Sequence, residues 1–198
     1  MDENSSGKKN NSPLVLLGEP REPAWKEFVR FTLIALAIVI PFRLFIAQPF
    51  IVSGASMSPT FESGQYLIVD ELTYRFEAPK RGDVIILKKP RQEAEYLIKR
   101  IVGLPGDTVT IKNGIVAVGN ASNPNGITLS EPYVKNKDRG DFEITMKPDE
   151  YFVMGDNRPV SLDSRVVGPI SRGHIVGRAL VRLFPVSQIS FFPGYNQI

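Results

Sequence analysis

Hydrophobic positions divide the chain into three stretches of different character. Residues 1–24 are polar, rich in Asn, Ser, Lys and Pro, with an apolar patch only at Leu14–Leu17. Such a stretch buries too little surface to order itself, which predicts a flexible tail. From Trp25 the pattern changes. Phe31–Phe42 is an uncharged apolar run with no amphipathic period, preceded by Lys26 and Arg30 and followed by Arg43. Beyond residue 48 the apolar residues come in short bursts separated by Gly, Pro, Asn and Asp.

The bursts read as strands: Gln65–Val69, Asp83–Leu87, Tyr96–Val102, Val109–Ile111, Ile115–Val118 and Tyr151–Met154, each rich in β-branched and aromatic residues. Asn113-Gly114 lies between two of them and supplies the two positive-φ residues of a type I′ hairpin. Asn120–Gly126 and Lys135–Asp141 read as polar loops. The expected fold is mainly β, an antiparallel, barrel-like sheet domain.

The apolar run admits three readings. Its roughly 12 uncharged residues cover about 18 Å as a helix, short of a hydrocarbon core of about 30 Å. Extending it from Phe28 to Ala47 and letting Arg30 and Arg43 snorkel to opposite headgroup layers gives a spanning length of about 20 residues. A cleaved secretory signal is the second reading, with small residues at Ser53 and Ala55 as its cleavage site. A buried core helix is the third, disfavoured by the missing amphipathic period. The spanning reading assigns 1–24 as a cytoplasmic tail, 25–48 as one transmembrane helix and 49–198 as the β domain. Lys8, Lys9, Arg21, Lys26 and Arg30 precede the run, and after Arg43 no Lys or Arg occurs until Arg75. The positive-inside rule then keeps the N-terminus cytoplasmic and puts the β domain across the membrane.

Composition narrows the chemistry. The 198 residues contain no Cys and one His. That excludes a thiol nucleophile, disulfides, cysteine zinc sites and multi-histidine metal centres. A net charge of +3 gives no argument for nucleic-acid binding. Neither a metal nor another cofactor is expected.

A hydrolase of this composition needs another base. His174, in Ser171-Arg-Gly-His174, has the context of an ordinary loop histidine. Ser56 lies in Val52-Ser-Gly-Ala-Ser-Met-Ser-Pro-Thr-Phe61, where small residues and Pro59 suit a tight loop that presents a hydroxyl; any Ser-rich turn looks the same. Lys99 lies in Tyr96–Val102, where strand alternation either points it among apolar side chains or leaves it facing water on an edge. In the first case desolvation lowers its pKa and makes it a base near neutral pH. Gly103-Leu-Pro-Gly-Asp107 is explained by a chain reversal. Gly155-Asp-Asn-Arg158 and Ser161-Leu-Asp-Ser-Arg165 concentrate polar residues after a strand, with Asp163 and Arg165 spaced to pair.

In order, Ser53-Gly-Ala-Ser-Met-Ser-Pro-Thr60, Arg81-Gly-Asp-Val84, Lys99-Arg-Ile-Val-Gly-Leu-Pro-Gly-Asp107 and Gly155-Asp-Asn-Arg158 through Arg165, behind an anchor, closely resemble the bacterial type I signal peptidases. The resemblance runs from about Phe31 to about Leu183. It implies a serine endopeptidase with Ser56 as nucleophile and Lys99 as general base, Ser161 orienting the lysine ammonium, and Asp163 and Arg165 as a supporting ion pair. It also implies that Asp156 and Arg158 belong to the same buttressing loop and that Met57 packs beside the nucleophile. Some members carry Ser where this chain has Gly54, which leaves the oxyanion to the backbone N–H of Ser56. The large extra β domain of some members is much reduced here.

The implied partners are preproteins with small residues at the first and third positions before the cut, and the lipid bilayer, in a bacterial cell membrane or other energy-transducing membrane. An extended substrate would pair with a strand edge; Ile51, Val52 and Ile98 are candidate pocket walls. Two rivals remain: a repressor-type self-cleaving Ser-Lys peptidase, which lacks an anchor, and a membrane-tethered β module without catalysis.

Overall fold

The computed structural model describes residues 23–45, 47–137 and 140–196; the tail expected over 1–24 lies outside them except for its last two residues. The chain divides into two units after Val39. Helix α1 (Ala24–Phe45) begins in the first. Between Trp25 and Ile40 its large apolar side chains are exposed, among them Phe28, Phe31, Leu33 and Ile38. Among the described residues, however, no helix is long and apolar enough to cross a membrane. Lys26, Glu27 and Arg30 occupy its first two turns, which confines the uncharged part to the short run after them.

The second unit is built of antiparallel strands. In chain order they are β1 (Ala47–Ile51), β2 (Tyr66–Asp70), β3 (Val84–Lys89), β4 (Gln92–Gly103), β5 (Thr108–Lys112), β6 (Ile115–Asn120), β7 (Asn123–Thr128), β8 (Phe142–Thr145), β9 (Glu150–Met154), β10 (Ile170–Ser171), β11 (Ile175–Phe184) and β12 (Ser190–Phe191). Among the described residues the larger sheet runs β1-β2-β11-β3-β4-β9-β10, with β12 on β11, and the smaller runs β7-β6-β5-β8.

Strand β3 shows why the larger sheet sits where it does. Its run Val84-Ile-Ile-Leu87 is apolar on both sides of the pleat, so both faces must be covered. Val84 and Ile86 join a core with Val52, Met57, Phe61 and Leu67. Ile85 and Leu87 join a second core with Ile101, Val153 and Ile175. The smaller sheet closes a third core, where Val109, Ile111, Val116 and Val118 pack against Phe152 and Met154 of β9.

The β5–β6 hairpin turns at Asn113 and Gly114, whose φ values are 52° and 75°. Asn120–Gly126, expected as a polar loop, is in part strand β7: it pairs with β6 alone, so its polar side chains meet solvent. Strand β11 had no place among the expected strands, yet it lies between β2 and β3.

Candidate active site

Ser56 follows β1 in a loop pinned by its neighbours. Met57 and Phe61, 1% and 0% exposed, plug into the first core and hold the loop down on both sides of Pro59. The Phe61 N–H donates to the Met57 carbonyl at 2.9 Å, closing one turn. Gly54 has φ +86°, a conformation that costs a glycine nothing, and open space stands where its side chain would be. The Ser56 hydroxyl is left half-buried at the top.

Lys99 is delivered by β4. It pairs opposite Ile85 of β3 and is only 2% exposed, so of the two orientations left open by the sequence it takes the buried one. Its Nζ donates to Ser56 Oγ at 2.8 Å and to the Ile98 carbonyl at 2.8 Å. Burial pulls its pKa down from 10.5 to about 8, against the charges of Asp163 and Asp156, which push it up. An amine with this pKa in hydrogen-bonding distance of a hydroxyl can accept the hydroxyl proton near neutral pH.

A third segment, the loop after β9, clamps both. The Asn157 N–H donates to the Ser56 carbonyl at 3.0 Å and its side-chain amide to the Ala55 carbonyl at 3.1 Å. Asn157 was not singled out by sequence reasoning; its partners lie about a hundred residues away. Gly155 is there because a β carbon would collide with Ser161 Oγ and the Ser56 carbonyl. Its N–H donates to Asp163 Oδ2 at 3.0 Å. Asp163 also takes both prongs of Arg165, Nε and Nη2 each at 2.8 Å. Burial pushes the Asp163 carboxyl up, but Arg165 and the Gly155 N–H outweigh it and hold the carboxyl below the ordinary range.

Asp156 and Arg158 share the loop but not a partner. Asp156 receives Arg100 Nε and Nη2 at 2.9 and 2.6 Å, with both side chains essentially excluded from solvent, and accepts from Thr60 Oγ1 at 2.5 Å. Arg158 turns to Glu131 instead. One implied contact is absent: the buried Ser161 hydroxyl makes no hydrogen bond to the Lys99 ammonium, which donates to Ser56 and to its own strand carbonyl. His174 bonds Ser171 at 2.8 Å through Nδ1.

Beside Ser56 and Lys99 lies a cleft of about 90 Å³, walled by Phe50, Ile51, Val52, Ile86, Tyr96 and Ile98 among others. Val52 and Ile98 are buried walls, whereas Ile51 is 59% exposed. Phe50 and Tyr96, unnoticed in the sequence, meet edge to face at 5.3 Å. A larger cavity of about 230 Å³ near Lys80, Arg178 and Phe192 contains neither Ser56 nor Lys99. Its cations are already paired, Arg178 with Asp70 and Lys80 with Glu77.

The chain is 37% identical over 188 residues to signal peptidase I of Bacillus caldolyticus, covering 87% of this chain and 96% of that one. It is 36% identical over 171 residues to a probable signal peptidase I of a Synechocystis species, covering 82% and 84%. A solved signal peptidase I from Enterococcus faecalis, 31% identical, covers 52% of this chain and 97% of its own, with a TM-score of 0.45. The family model for signal peptidase, peptidase S26, matches residues 25–184, and the chain is a peptidase belonging to that family.

Proposed function

We propose that this chain is a membrane-tethered serine endopeptidase that removes signal peptides from exported preproteins, with Ser56 as nucleophile and Lys99 as general base. The observation that carries the reading is the 2.8 Å hydrogen bond between Lys99 Nζ and Ser56 Oγ at a lysine that is 2% exposed. In the reactive state the lysine is neutral. It takes the hydroxyl proton as Oγ attacks the scissile carbonyl, then gives that proton to the departing amine as the acyl-enzyme forms. Water, deprotonated by the same lysine, attacks the ester and frees Ser56. Backbone N–H groups around Ser56 stabilise the oxyanion, with Gly54 adding no side chain. The Asp163–Arg165 pair holds the loop that sets Gly155 and Ser161 against Ser56.

The cleft walled by Val52, Ile86 and Ile98 suits small side chains before the cut. The extended substrate pairs with an exposed strand edge, adding its backbone to the sheet. Residues 25–48 tether the enzyme: the apolar side chains of α1 are exposed to a degree that a water-facing helix does not sustain, and the basic residues ahead of them keep the N-terminus cytoplasmic. Residues 49–198 then work on the opposite side.

The test is cleavage of a preprotein in detergent or lipid. Ser56→Ala and Lys99→Ala each abolish it, while His174→Ala leaves it intact. Turnover persisting in either of the first two variants would sink the mechanism.

A further inference from the structure

The segment joining β7 to β8 belongs topologically to the smaller sheet, yet its side chains reach the loops around Ser56 and Lys99. Leu129 N–H donates to the Val116 carbonyl of β6, which roots the segment, and Val134 N–H donates to the Glu131 carbonyl, which turns it. From that turn three contacts depart. Glu131 receives Arg158 in a fork, Oε2 from Nη1 at 3.1 Å and Oε1 from Nη2 at 2.5 Å, with both side chains almost fully buried. The Tyr133 ring lies under the Arg100 guanidinium, 3.8 Å from centroid to Cζ, and its hydroxyl donates to Glu131 at 3.2 Å. Asn136 donates its amide to Asn157 Oδ1 at 3.4 Å.

Each of the three residues reached leads on to the backbone of Ser56 or Lys99. Arg158 Nε donates to the Gly155 carbonyl at 3.0 Å, and Gly155 stands against the Ser56 carbonyl. Asn157 holds that same carbonyl through its N–H. Arg100 is the strand neighbour of Lys99 and fixes Asp156.

We infer that Glu131 and Tyr133 are positioning residues for the Ser56–Lys99 reaction, transmitting the smaller sheet's rigidity through Arg158 and Arg100 to the nucleophile loop. The inference rests on the dyad reading given above. Glu131 is the decisive member. Arg158 is too buried to be left without a counter-charge, so losing Glu131 frees its guanidinium to pull away from Gly155. A displacement of about 1 Å at a nucleophile costs on the order of a hundredfold in rate while leaving a substrate-binding cleft intact.

The test compares four full-length proteins in detergent on one synthetic preprotein with Ala at the first and third positions before its cut: wild type, Ser56→Ala, Glu131→Gln and the double variant Glu131→Gln/Arg158→Gln. The expected result is that Glu131→Gln melts cooperatively, lowers kcat at least tenfold and leaves KM within twofold. The double variant loses little more than the single one, because Glu131 acts through Arg158. If Glu131→Gln melts below the assay temperature, Glu131→Asp takes its place: its carboxylate keeps the counter-charge but falls one methylene short of Arg158, and a smaller fall in kcat, still beyond twofold, with KM within twofold is expected. A folded variant with kcat within twofold of wild type, beside an inactive Ser56→Ala, overturns the inference, as does a loss of rate that merely follows the unfolded fraction. Turnover in Ser56→Ala overturns the dyad reading instead, so the two failures are distinguishable.

Discussion

The ammonium of Lys99 lies 2.8 Å from the hydroxyl of Ser56 and is shielded from water almost completely, while the carboxylates of Asp163 and Asp156 raise its proton affinity. Burial wins, and the pKa falls to about 8. Only the neutral amine can take the Ser56 proton, so kcat/KM rises with pH and reaches half its plateau near pH 8. A pH–rate profile on a preprotein substrate checks this. A profile with no limb near pH 8 would mean that Lys99 is not the base.

The same shift has a consequence for stability. The folded-state pKa of Lys99 lies below its unfolded value of 10.5, so between about pH 8 and 10.5 the unfolded chain binds more protons and folding stability rises with pH. Below pH 8 the cost of burying the ammonium is present in full, on the order of 3 kcal/mol. Lys99→Met removes it. The variant is expected to melt about 5–10 °C above wild type at pH 7, with the gap closing as pH approaches 10.5. Melting curves across that range decide, and a gap that ignores pH would mean that packing and not charge is responsible.

What was legible in the sequence was what is local. The run Asp83–Leu87 announced a strand, and Asn113-Gly114 announced its hairpin, because each depends on residues side by side in the chain. Strand β11 escaped because two of its three buried positions are Gly177 and Ala179, too small to register as hydrophobic, and Arg178 and Arg182 interrupt its apolar residues. Gly177 has to be small: a β carbon there would come within 2.8 Å of Val69 Cγ1 and collide with the Asp70 carbonyl. At the site, Ser56 and Lys99 stood out through ordered motifs. Glu131 and Tyr133 did not, because nothing near them in sequence betrays a partner that only the fold supplies; Asn157 lay inside the Gly155–Arg158 motif, but its contact with Ser56 was not legible there.

Gly155 offers a direct test of how tightly the two loops fit. Alanine at this position drives its methyl group into Ser161 Oγ and the Ser56 carbonyl, and the backbone on either side is itself held by Asp163 and Asn157. The nucleophile loop has to yield. Gly155→Ala is expected to lose more than tenfold in kcat/KM and about 1–3 kcal/mol in stability. Gly173→Ala, where a β carbon meets nothing within 4 Å, is the matched control and changes neither. Equal behaviour of the two variants would refute the tight fit.

Asp156 and Arg100 form the ion pair most completely removed from water, at 1% and 0% side-chain exposure, and the bidentate contact leaves Asp156 as the counter-charge to the guanidinium. Asp156→Asn keeps the shape and one acceptor oxygen but strips the charge, so the Arg100 cation stays buried and uncompensated. That costs about 3–5 kcal/mol, or roughly 10 °C in Tm for a chain of this size. The exposed pair Lys80–Glu77, at a similar 2.9 Å, shows what distance alone is worth: Glu77→Gln is expected to leave Tm unchanged, because water and salt screen it. Removing both buried charges together, Arg100→Met with Asp156→Leu, leaves no unpaired charge and melts above Asp156→Asn, although the Gly82 and Gly194 carbonyls lose their donor and the Thr60 hydroxyl its acceptor. Melting the three variants beside wild type separates the explanations. A double variant no more stable than Asp156→Asn would mean that those carbonyl contacts, and not the unpaired charge, carry the cost.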